Sequence, residues 1–278
     1  MKKYLVIGNP IEHSLSPLIH NYWIKKYHLV DSIYEKRKVE EKDLKNIIKE
    51  IKDEKIIGVN VTLPFKKLII SFLDKLHASA KDSGSVNTLH KDKNKIIGSN
   101  TDATGFLETI NDYYGLLTPG PITDVSRKDF LVLGAGGVTS SVIVSLQHLV
   151  GRTGRVWVSN RSMQAASQLE KLFPKVKAIK WGDLPPVLCD MVINTTSVGL
   201  KKNDNLNIDF TNYTNKNTLF YDLIYNPKET NFLKKAKLRG NKTMNGQMMF
   251  LKQATEAFRI WTNILPEIDD EVIKLLDR

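Results

Sequence analysis

Short apolar runs rich in β-branched residues alternate along the chain with longer stretches whose apolar residues recur every three or four positions. The short runs predict strands and the longer stretches predict helices packed on a sheet. In the first part of the chain we predict strands over residues 4–8, 33–39, 57–61, 85–90 and 95–99, and helices over 17–27, 41–52, 66–76 and 103–114. This alternation is typical of α/β proteins with parallel sheets.

A second alternating series begins at residue 130. It predicts strands over residues 130–133, 155–158, 178–179, 191–193 and 219–221, and helices over 138–149, 163–172 and 246–261. Between the two series, residues 115–126 are rich in Gly, Pro and Thr, which indicates a loop or hinge. The pattern therefore predicts two α/β units, which suits a chain of 278 residues at roughly 150 residues per domain.

Composition narrows the class of protein. Hydrophobic residues make up 41% and charged residues 26%, as in ordinary globular proteins. No stretch approaches the ~20 apolar residues that span a bilayer, and the apolar run after Lys2 and Lys3 is too short for a signal peptide. The single Cys189 cannot form an internal disulfide, and the six His are dispersed. We expect a cytoplasmic chain with no membrane association and no metal site.

Positive charge is concentrated in one internal segment. Of the net charge of +11, residues 151–242 contribute +9, from 16 basic and 7 acidic side chains. A nucleic-acid-binding protein can have such an excess. Here the lysines are scattered with few aromatic residues between them, so we favour a solvated surface and expect no nucleic-acid partner. The other alternative is a phosphorylated small ligand attracted by the positive field.

A glycine turn lies between a predicted strand and a predicted helix, at Gly134, Ala135, Gly136, Gly137 and Val138. Residues without a Cβ let backbone N–H groups approach a pyrophosphate, and the helix N-terminus stabilises its charge. The motif is incomplete, because Thr139 stands where G-x-G-x-x-G has its last glycine. The turn predicts a dinucleotide site.

The end of the next strand indicates which dinucleotide binds. NAD-preferring sites place an Asp or Glu there for the ribose 2′-hydroxyl, whereas this chain has Asn160, Arg161 and Ser162. A guanidinium fork and a hydroxyl suit a 2′-phosphate, so we predict NADP. The alternative is an ordinary surface arginine in a loop.

Polar residues collect where the strands of the first unit end. They include Asn60 and Thr62, the Asn87-Thr88 pair, and residues 100–102. Ligands of open α/β sheets bind beyond strand ends, and these side chains suit a polyhydroxylated substrate, although turn formation alone would also explain them. In the first loop, Ser16 is the predicted N-cap before Pro17, and Ser14 is a second hydroxyl that could bind a carboxylate there.

Two residues near these clusters could move a proton. Lys66 follows the end of a strand and Asp102 begins a predicted helix. A Lys and an Asp facing one hydroxyl could act as acid/base and orienting group. A solvated lysine and a helix-capping aspartate are equally consistent with the local sequence. Motifs for serine hydrolases, zinc peptidases, P-loop nucleotidases and dithiol redox sites do not occur in the sequence.

Taken together, these motifs resemble the shikimate dehydrogenase family along almost the whole chain. The resemblance rests on Ser14-Leu15-Ser16-Pro17 with His20-Asn21, Asn60-Val61-Thr62-Leu63-Pro64-Phe65-Lys66, Gly84-Ser85-Val86-Asn87-Thr88, Asn100-Thr101-Asp102-Ala103-Thr104-Gly105-Phe106, Gly134-Ala135-Gly136-Gly137, Asn160-Arg161-Ser162, Asn194-Thr195-Thr196-Ser197-Val198-Gly199, Asp222-Leu223-Ile224-Tyr225-Asn226-Pro227, Asn245-Gly246 and Gln253-Ala254. Departures are small: Ser85 replaces the usual Ala, Ser162 a common Thr, and residues 248–250 are bulkier than expected.

The resemblance implies NADPH-dependent reduction of 3-dehydroshikimate to shikimate, a step of chorismate and aromatic amino-acid biosynthesis. It implies an N-terminal α/β substrate domain (1–102 and 245–278), to which the C-terminal helix returns, and a Rossmann-like doubly wound NADP-binding domain (103–244). A homodimer is a further expectation. Alternatives are a quinate/shikimate dehydrogenase of relaxed specificity and a non-catalytic ligand-binding paralogue.

The resemblance also implies roles for individual residues. Lys66 and Asp102 would be the catalytic pair. The substrate would be bound by Ser14, Ser16, Thr62, Lys66, Asn87, Asp102, Tyr225 and Gln253. NADP would be bound by Gly134, Ala135, Gly136, Gly137, Val138, Asn160, Arg161, Ser162, Thr195, Leu223 and Gly246.

Overall fold

The computed structural model describes residues 1–115, 128–201 and 203–276. The chain divides into two compact units, the first formed by Met1–Phe106 with Leu251–Arg278 and the second by Leu107–Phe250. The loop predicted over 115–126 lies, from residue 116 onward, outside the described residues.

The first part of the chain alternates strands and helices largely as predicted. Its elements are β1 (Lys2–Gly8), α1 (Ser16–Lys26), β2 (Ser32–Lys38), α2 (Leu44–Lys52), β3 (Gly58–Val61), β4 (Lys75–Leu76), α3 (Ala78–Ser83), β5 (Thr88–Asp92), β6 (Lys95–Ser99) and α4 (Thr101–Tyr114). The strands form one mixed sheet in the order β2-β1-β3-β5-β6-β4. β1 is parallel to β2 and β3, whereas β5 is antiparallel to β3 and β6.

One face of this sheet is covered by α2. Its apolar residues recur at helical spacing, and all four of them are buried in one cluster with Leu5 of β1: Leu44, Ile47, Ile48 and Ile51. Side chains of a strand alternate between faces, so Tyr4 faces the opposite side from Leu5. There Tyr4 packs in an aromatic cluster that also contains Trp261. The sheet of the first unit is therefore covered on both faces.

The helix predicted over residues 66–76 is wrong. Leu68–Phe72 forms one short 3-10 helix, and Lys75–Leu76 forms β4 beside β6. A helix depends mainly on burying one apolar face, and within this 3-10 helix only Ile69 is buried while Leu68 is exposed. β-branched and aromatic side chains, frequent in this segment, also lower helix propensity.

The second unit has the order of strands of a dinucleotide-binding fold. Its strands form a sheet in which every pairing is parallel, in the order β12-β11-β10-β7-β8-β9. The elements are β7 (Asp129–Leu133), α5 (Thr139–Gln147), β8 (Arg155–Asn160), α6 (Met163–Leu172), β9 (Val176–Lys180), β10 (Met191–Asn194), β11 (Leu219–Asp222), α7 (Asn231–Leu238) and β12 (Lys242–Met244). The Rossmann-like prediction is confirmed, although α7 and β12 were not predicted.

The chain ends with α8 (Gln247–Thr262) and α9 (Asp270–Leu275). From Leu251 onward it belongs to the first unit, as predicted for a returning C-terminal helix. Trp261 of α8 donates a hydrogen bond from Nε1 to the Leu89 carbonyl oxygen over 3.0 Å. Its indole covers Gly58 so closely that a Cβ at position 58 would collide with it. This glycine makes room for the tryptophan.

Candidate active site

In the first unit, the polar clusters predicted at strand ends come together at one edge of the sheet. Antiparallel pairing places Asn60 of β3 opposite Thr88, and Thr88 opposite Ser99. The end of β3, the start of β5 and the end of β6 therefore lie side by side. Residues 62, 87 and 100–102, which flank these strands, meet as the strand-end argument predicted.

Lys66 and Asp102 form an ion pair at this edge. Lys66 Nζ lies 2.5 Å from Asp102 Oδ2, and the two side chains are only 12% and 9% exposed. Asp102 is in the first turn of α4, whose N-terminus stabilises a negative charge. This contact is not explained by the alternative interpretations, in which Lys66 is a solvated lysine and Asp102 only caps a helix.

Asn87 orients the carboxylate. Its Nδ2 donates to Asp102 Oδ1 over 2.8 Å and to Thr101 Oγ1 over 2.9 Å. Its Oδ1 accepts from the Thr101 backbone N–H over 2.8 Å and from Thr88 Oγ1 over 3.0 Å. These bonds fix which end of the amide faces Asp102. The other carboxylate oxygen is left to Lys66.

Gln253 and Thr62 complete the group. Gln253 Oε1 lies 3.5 Å from both Asn87 Nδ2 and Thr101 Oγ1. Thr62 follows β3 and donates its backbone N–H to the Ile7 carbonyl. The Thr62 methyl group lies 2.5 Å from the position that a Cβ on Gly8 would occupy, so that position must be a glycine. Direct contacts thus link four of the predicted substrate residues, Lys66, Asn87, Asp102 and Gln253, while Thr62 follows the neighbouring strand β3.

The two serines of the first loop lie together but do not cap the helix. Ser14 Oγ is 3.3 Å from Ser16 Oγ and accepts weakly from the Ser16 backbone N–H at 3.4 Å. The prediction that Ser16 is the N-cap is wrong, because α1 begins at Ser16 itself and Leu15 is the N-cap without a side-chain bond. The backbone of Leu15 is already in the helical region, so Ser16 is within the helix. Its hydroxyl is not used for capping.

In the second unit, the glycine turn lies between β7 and α5. Gly134 has φ +108°, and a Cβ there would lie 2.7 Å from Thr195 Oγ1, so only glycine fits. Thr195 Oγ1 donates to the Leu133 carbonyl and lies 2.8 Å from Thr139 Oγ1. A Cβ at Gly136 would meet nothing within 4 Å. The turn therefore has open space above it, as a bound pyrophosphate requires.

The end of β8 offers donors and no carboxylate. Asn160 is its last residue, and its Nδ2 donates to the Ser162 carbonyl over 3.0 Å. Ser162 Oγ caps α6 by accepting from the Ala165 N–H at 3.3 Å, and the Arg161 side chain is exposed. An exposed guanidinium next to a capped helix N-terminus fits the extra phosphate of NADP.

The remaining predicted residues of this unit lie near β11. Gly246 packs so tightly on the Leu223 backbone that a Cβ at position 246 would overlap the Leu223 carbonyl. Tyr225 stacks on Phe250, with ring centroids 4.4 Å apart and planes inclined by 17°. Phe250 belongs to the segment whose bulk departs from the family pattern, and its ring is used to hold Tyr225.

Neither a metal site nor a membrane helix is found in the part of the chain that the structure describes. In that part, no group of three or more His, Cys, Asp and Glu side chains could hold a metal ion. No described helix is long and apolar enough to cross a bilayer.

Comparison with known proteins identifies the family. Residues 6–89 match the model of the shikimate dehydrogenase substrate binding domain. The chain is 49% identical over 276 residues to the NADP(+) shikimate dehydrogenase of Pelagibacter ubique, covering 99% of each chain. The chain belongs to the shikimate dehydrogenase family.

Solved structures of the family have the same fold. The shikimate dehydrogenase of Aquifex aeolicus is 34% identical, with a TM-score of 0.83 over 100% of this chain and 98% of its own. The Thermus thermophilus enzyme, solved with NADP(H) and shikimate, is 30% identical, with a TM-score of 0.84 over 100% of this chain and 99% of its own.

Some residues that shape this site were not singled out from the sequence. Thr101 and Thr88 share the amide of Asn87, and Asn60 donates from Nδ2 to Thr88 Oγ1 over 3.2 Å. All three belong to the polar clusters, so the sequence does indicate that they lie at strand ends. Nothing local shows which of them orients another, because that depends on the register between β3, β5 and β6.

Proposed function

We propose that this member of the shikimate dehydrogenase family catalyses the reversible NADPH-dependent reduction of 3-dehydroshikimate to shikimate, with Lys66 and Asp102 as the catalytic pair. The observation that carries the proposal is the buried Lys66–Asp102 ion pair with Asn87 on its second oxygen. A protein that only binds its ligand has no need of a proton donor held in this way. The non-catalytic alternative is therefore disfavoured.

The reaction needs a hydride at carbon and a proton at oxygen, and NADPH supplies the hydride when bound. Lys66 donates the proton to the carbonyl oxygen, and its positive charge stabilises the developing alkoxide. Asp102 holds the Lys66 ammonium through Oδ2 and is itself held by Asn87. In the reverse direction the same pair removes the proton from the hydroxyl of shikimate.

The other site residues divide by the part of the ligand they suit. Ser14 and Ser16 donate hydrogen bonds from their hydroxyls to the substrate carboxylate. Thr62, Asn87, Gln253 and Tyr225 bind the ring hydroxyls. Residues 1–102 with 245–278 form the proposed substrate domain, and residues 103–244 form the proposed NADP domain.

The NADP residues likewise divide by the group they contact. The backbone of residues 134–138 and Thr195 bind the pyrophosphate, while Asn160, Arg161 and Ser162 bind the 2′-phosphate. Leu223 and Gly246 line the nicotinamide end, where the missing Cβ of Gly246 keeps the backbone close to Leu223.

Assembly and location are part of the same proposal. We expect a homodimer in the cytoplasm. The single cysteine, Cys189, is buried and free, which suits a reducing compartment. Size-exclusion chromatography with light scattering decides between a monomer and a dimer.

The test of the function is a four-way assay of the purified chain at the reduced-nicotinamide absorbance band. Shikimate and quinate are each offered with NADP and with NAD. The proposal expects turnover with shikimate and NADP well above the other three pairs. Comparable turnover of quinate would instead favour the relaxed-specificity enzyme, and no turnover with any pair would refute catalysis.

A further inference from the structure

The hydroxyl of Tyr34 lies at the end of a chain of hydrogen bonds that leads to Asp102. Tyr34 is in β2, at the edge of the first sheet, and is 2% exposed. Its hydroxyl donates to Asn60 Oδ1 over 2.7 Å. Burial raises the pKa of Tyr34 well above its usual value, so the phenol keeps its proton and remains a donor.

From Asn60 the chain of bonds continues to the amide that holds the carboxylate. Asn60 Nδ2 donates to the Asn87 backbone carbonyl over 3.1 Å and to Thr88 Oγ1 over 3.2 Å. Because Thr88 Oγ1 accepts a hydrogen bond from Asn60, its own proton points to a different partner. It donates that proton to Asn87 Oδ1 over 3.0 Å. The Nδ2 of Asn87 therefore faces Asp102. Each donor in the series determines the direction of the next.

Three residues of the first helix contact Tyr34. The Ser16 side chain hydrogen-bonds its hydroxyl, whereas His20 and Asn21 hold its ring and backbone and have no role in the proposed reaction. The Asn21 amide pairs with both backbone groups of Tyr34, donating to its carbonyl over 2.8 Å and accepting its N–H over 2.9 Å. The His20 ring stacks on the Tyr34 ring at 4.2 Å with planes 2° apart. These contacts fix the backbone and the ring plane, so the hydroxyl has one position.

His20 serves this purpose as an uncharged ring. It is 1% exposed, and neither of its ring nitrogens has a hydrogen-bond partner in the described structure. Burial lowers the pKa of His20 to about 3, so the imidazole is neutral near neutral pH. It acts as a flat aromatic surface and as neither an acid nor a base.

We propose that Tyr34 is a positioning residue for the reaction: its hydroxyl, fixed by His20 and Asn21, sets the direction of the Asn60 amide and, through Thr88 and Asn87, the orientation of Asp102. This inference rests on the proposed role of Asp102 in catalysis. It also explains His20 and Asn21 of the sequence motif, which have no proposed contact with substrate: they hold Tyr34 in place.

Loss of the Tyr34 hydroxyl leaves a buried acceptor without its donor. Asn60 Oδ1 is then no longer held, so the amide can shift and its bond from Nδ2 to Thr88 Oγ1 weakens. Asn87 keeps its bond from the Thr101 N–H, so the carboxylate is loosened and not released. The effect is therefore that of one indirect hydrogen bond, much smaller than removal of Lys66.

The first test compares Tyr34→Phe with Tyr4→Phe. Tyr4 is a buried neighbour in the same aromatic cluster, and its hydroxyl makes no hydrogen bond within the described residues. Tyr34→Phe should lower kcat about 3- to 10-fold and change the KM for NADP less than about threefold, whereas the KM for shikimate should rise because the hydroxyl also contacts Ser16. Tyr4→Phe should leave kcat unchanged. Unchanged kcat in Tyr34→Phe, or an equal loss in Tyr4→Phe, overturns the proposal.

The second test uses Thr88→Val, which removes the next hydroxyl of the series at nearly constant shape. Alone it should lower kcat by a similar factor. Combined with Tyr34→Phe it should cost no more than the larger single change, because both interrupt one series of bonds. If the fold losses of kcat in the two single variants multiply in the double variant, the two hydroxyls act independently, and the proposed series of hydrogen bonds is refuted.

An NMR measurement separates this inference from the proposed function. The side-chain NH₂ signals of Asn60 and Asn87 should shift and exchange faster with water in Tyr34→Phe but not in Tyr4→Phe. A chain that turned over no shikimate would refute the function, and these signals would still decide whether Tyr34 orders the network. Unmoved Asn87 signals overturn the inference.

Discussion

Replacement of Lys66 by methionine tests the chemical step most directly. Methionine keeps much of the length of the side chain and removes the ammonium that lies 2.5 Å from Asp102 Oδ2. If Lys66 is the proton donor, kcat should fall by about 10²–10⁴, the usual contribution of a general acid or base. That fall corresponds to roughly 2.7–5.5 kcal/mol of lost transition-state stabilisation. The KM values for shikimate and NADP should change far less.

The same change has a cost in stability that can be measured separately. Lys66→Met leaves the 9%-exposed carboxylate of Asp102 with the Asn87 amide as its side-chain donor. An unpaired buried polar group costs about 1–3 kcal/mol, so the free energy of unfolding should fall by about that amount. Adding Asp102→Asn removes the unpaired charge and should restore part of the loss. Activity should not recover.

The assay is steady-state kinetics with shikimate and NADP, combined with urea unfolding of each variant. Lys67→Met is the matched control, because Lys67 is the neighbouring lysine and is exposed. It should behave as the unmodified chain does in both measurements. If Lys66→Met instead raises the KM for shikimate while kcat is intact, Lys66 only binds substrate and the mechanism is wrong. Losses of kcat that multiply in the double variant would also contradict a pair acting as one unit.

Three further predictions concern the two ligands and the fold. Arg161→Ala should lower kcat/KM for NADP much more than kcat/KM for NAD. The control Arg152→Ala, at another exposed arginine, should leave the ratio of these two values unchanged. If the ratio is also unchanged in Arg161→Ala, Arg161 does not belong to the site. Ser14→Ala and Ser16→Ala should each raise the KM for shikimate about 10-fold or more, because a hydrogen bond to a charged group contributes about 1.5–3 kcal/mol. The KM for NADP should change little. An equal rise in both KM values would mean that the serines only shape the fold. Burial raises the pKa of Asp222 to about 6 from 3.8, so the folded chain binds this proton more tightly than the unfolded chain, and the group's contribution to stability should decrease as pH rises from about 4 to 6. Asp222→Asn should remove about 2–3 kcal/mol of that pH dependence in urea unfolding at a series of pH values, and identical slopes would contradict the assignment.

Much of the site could be predicted because its residues follow a rule of topology. Lys66 and Asp102 are 36 positions apart, and the local sequence of each allows an ordinary role. The strand-end rule nevertheless brings them to one edge, since β3 and β6 end there on either side of β5. The alternating pattern of the second unit likewise predicts a parallel α/β sheet, whereas its doubly wound order was implied only by the resemblance to the family.

What escaped prediction depends on contacts that are distant in sequence. Ser16 has the residue type of an N-cap, but Leu15 already has helical backbone angles, and this geometry is not encoded in the residue type. Residues 66–76 are apolar enough for a helix, yet Ile69 alone is fully buried and its apolar neighbours pack only partly against the core without forming one continuous helical face. The roles of His20 and Asn21 depend on Tyr34, which is recognisable only once β2 is known to be the edge strand.

The split of the first unit between the two ends of the chain has a consequence for synthesis on the ribosome. Trp261 and Phe258 complete the aromatic cluster around His20, yet they are translated after the whole of the second unit. At about 5–20 residues per second, residues 251–278 take on the order of 1–6 s to emerge once Phe250 has been added. During that interval Gly58 lacks its covering indole and the apolar side chains of the first unit face water. A nascent chain stalled near residue 250 would be a ready substrate for chaperones that bind exposed aromatic surface, even though its second unit was already complete.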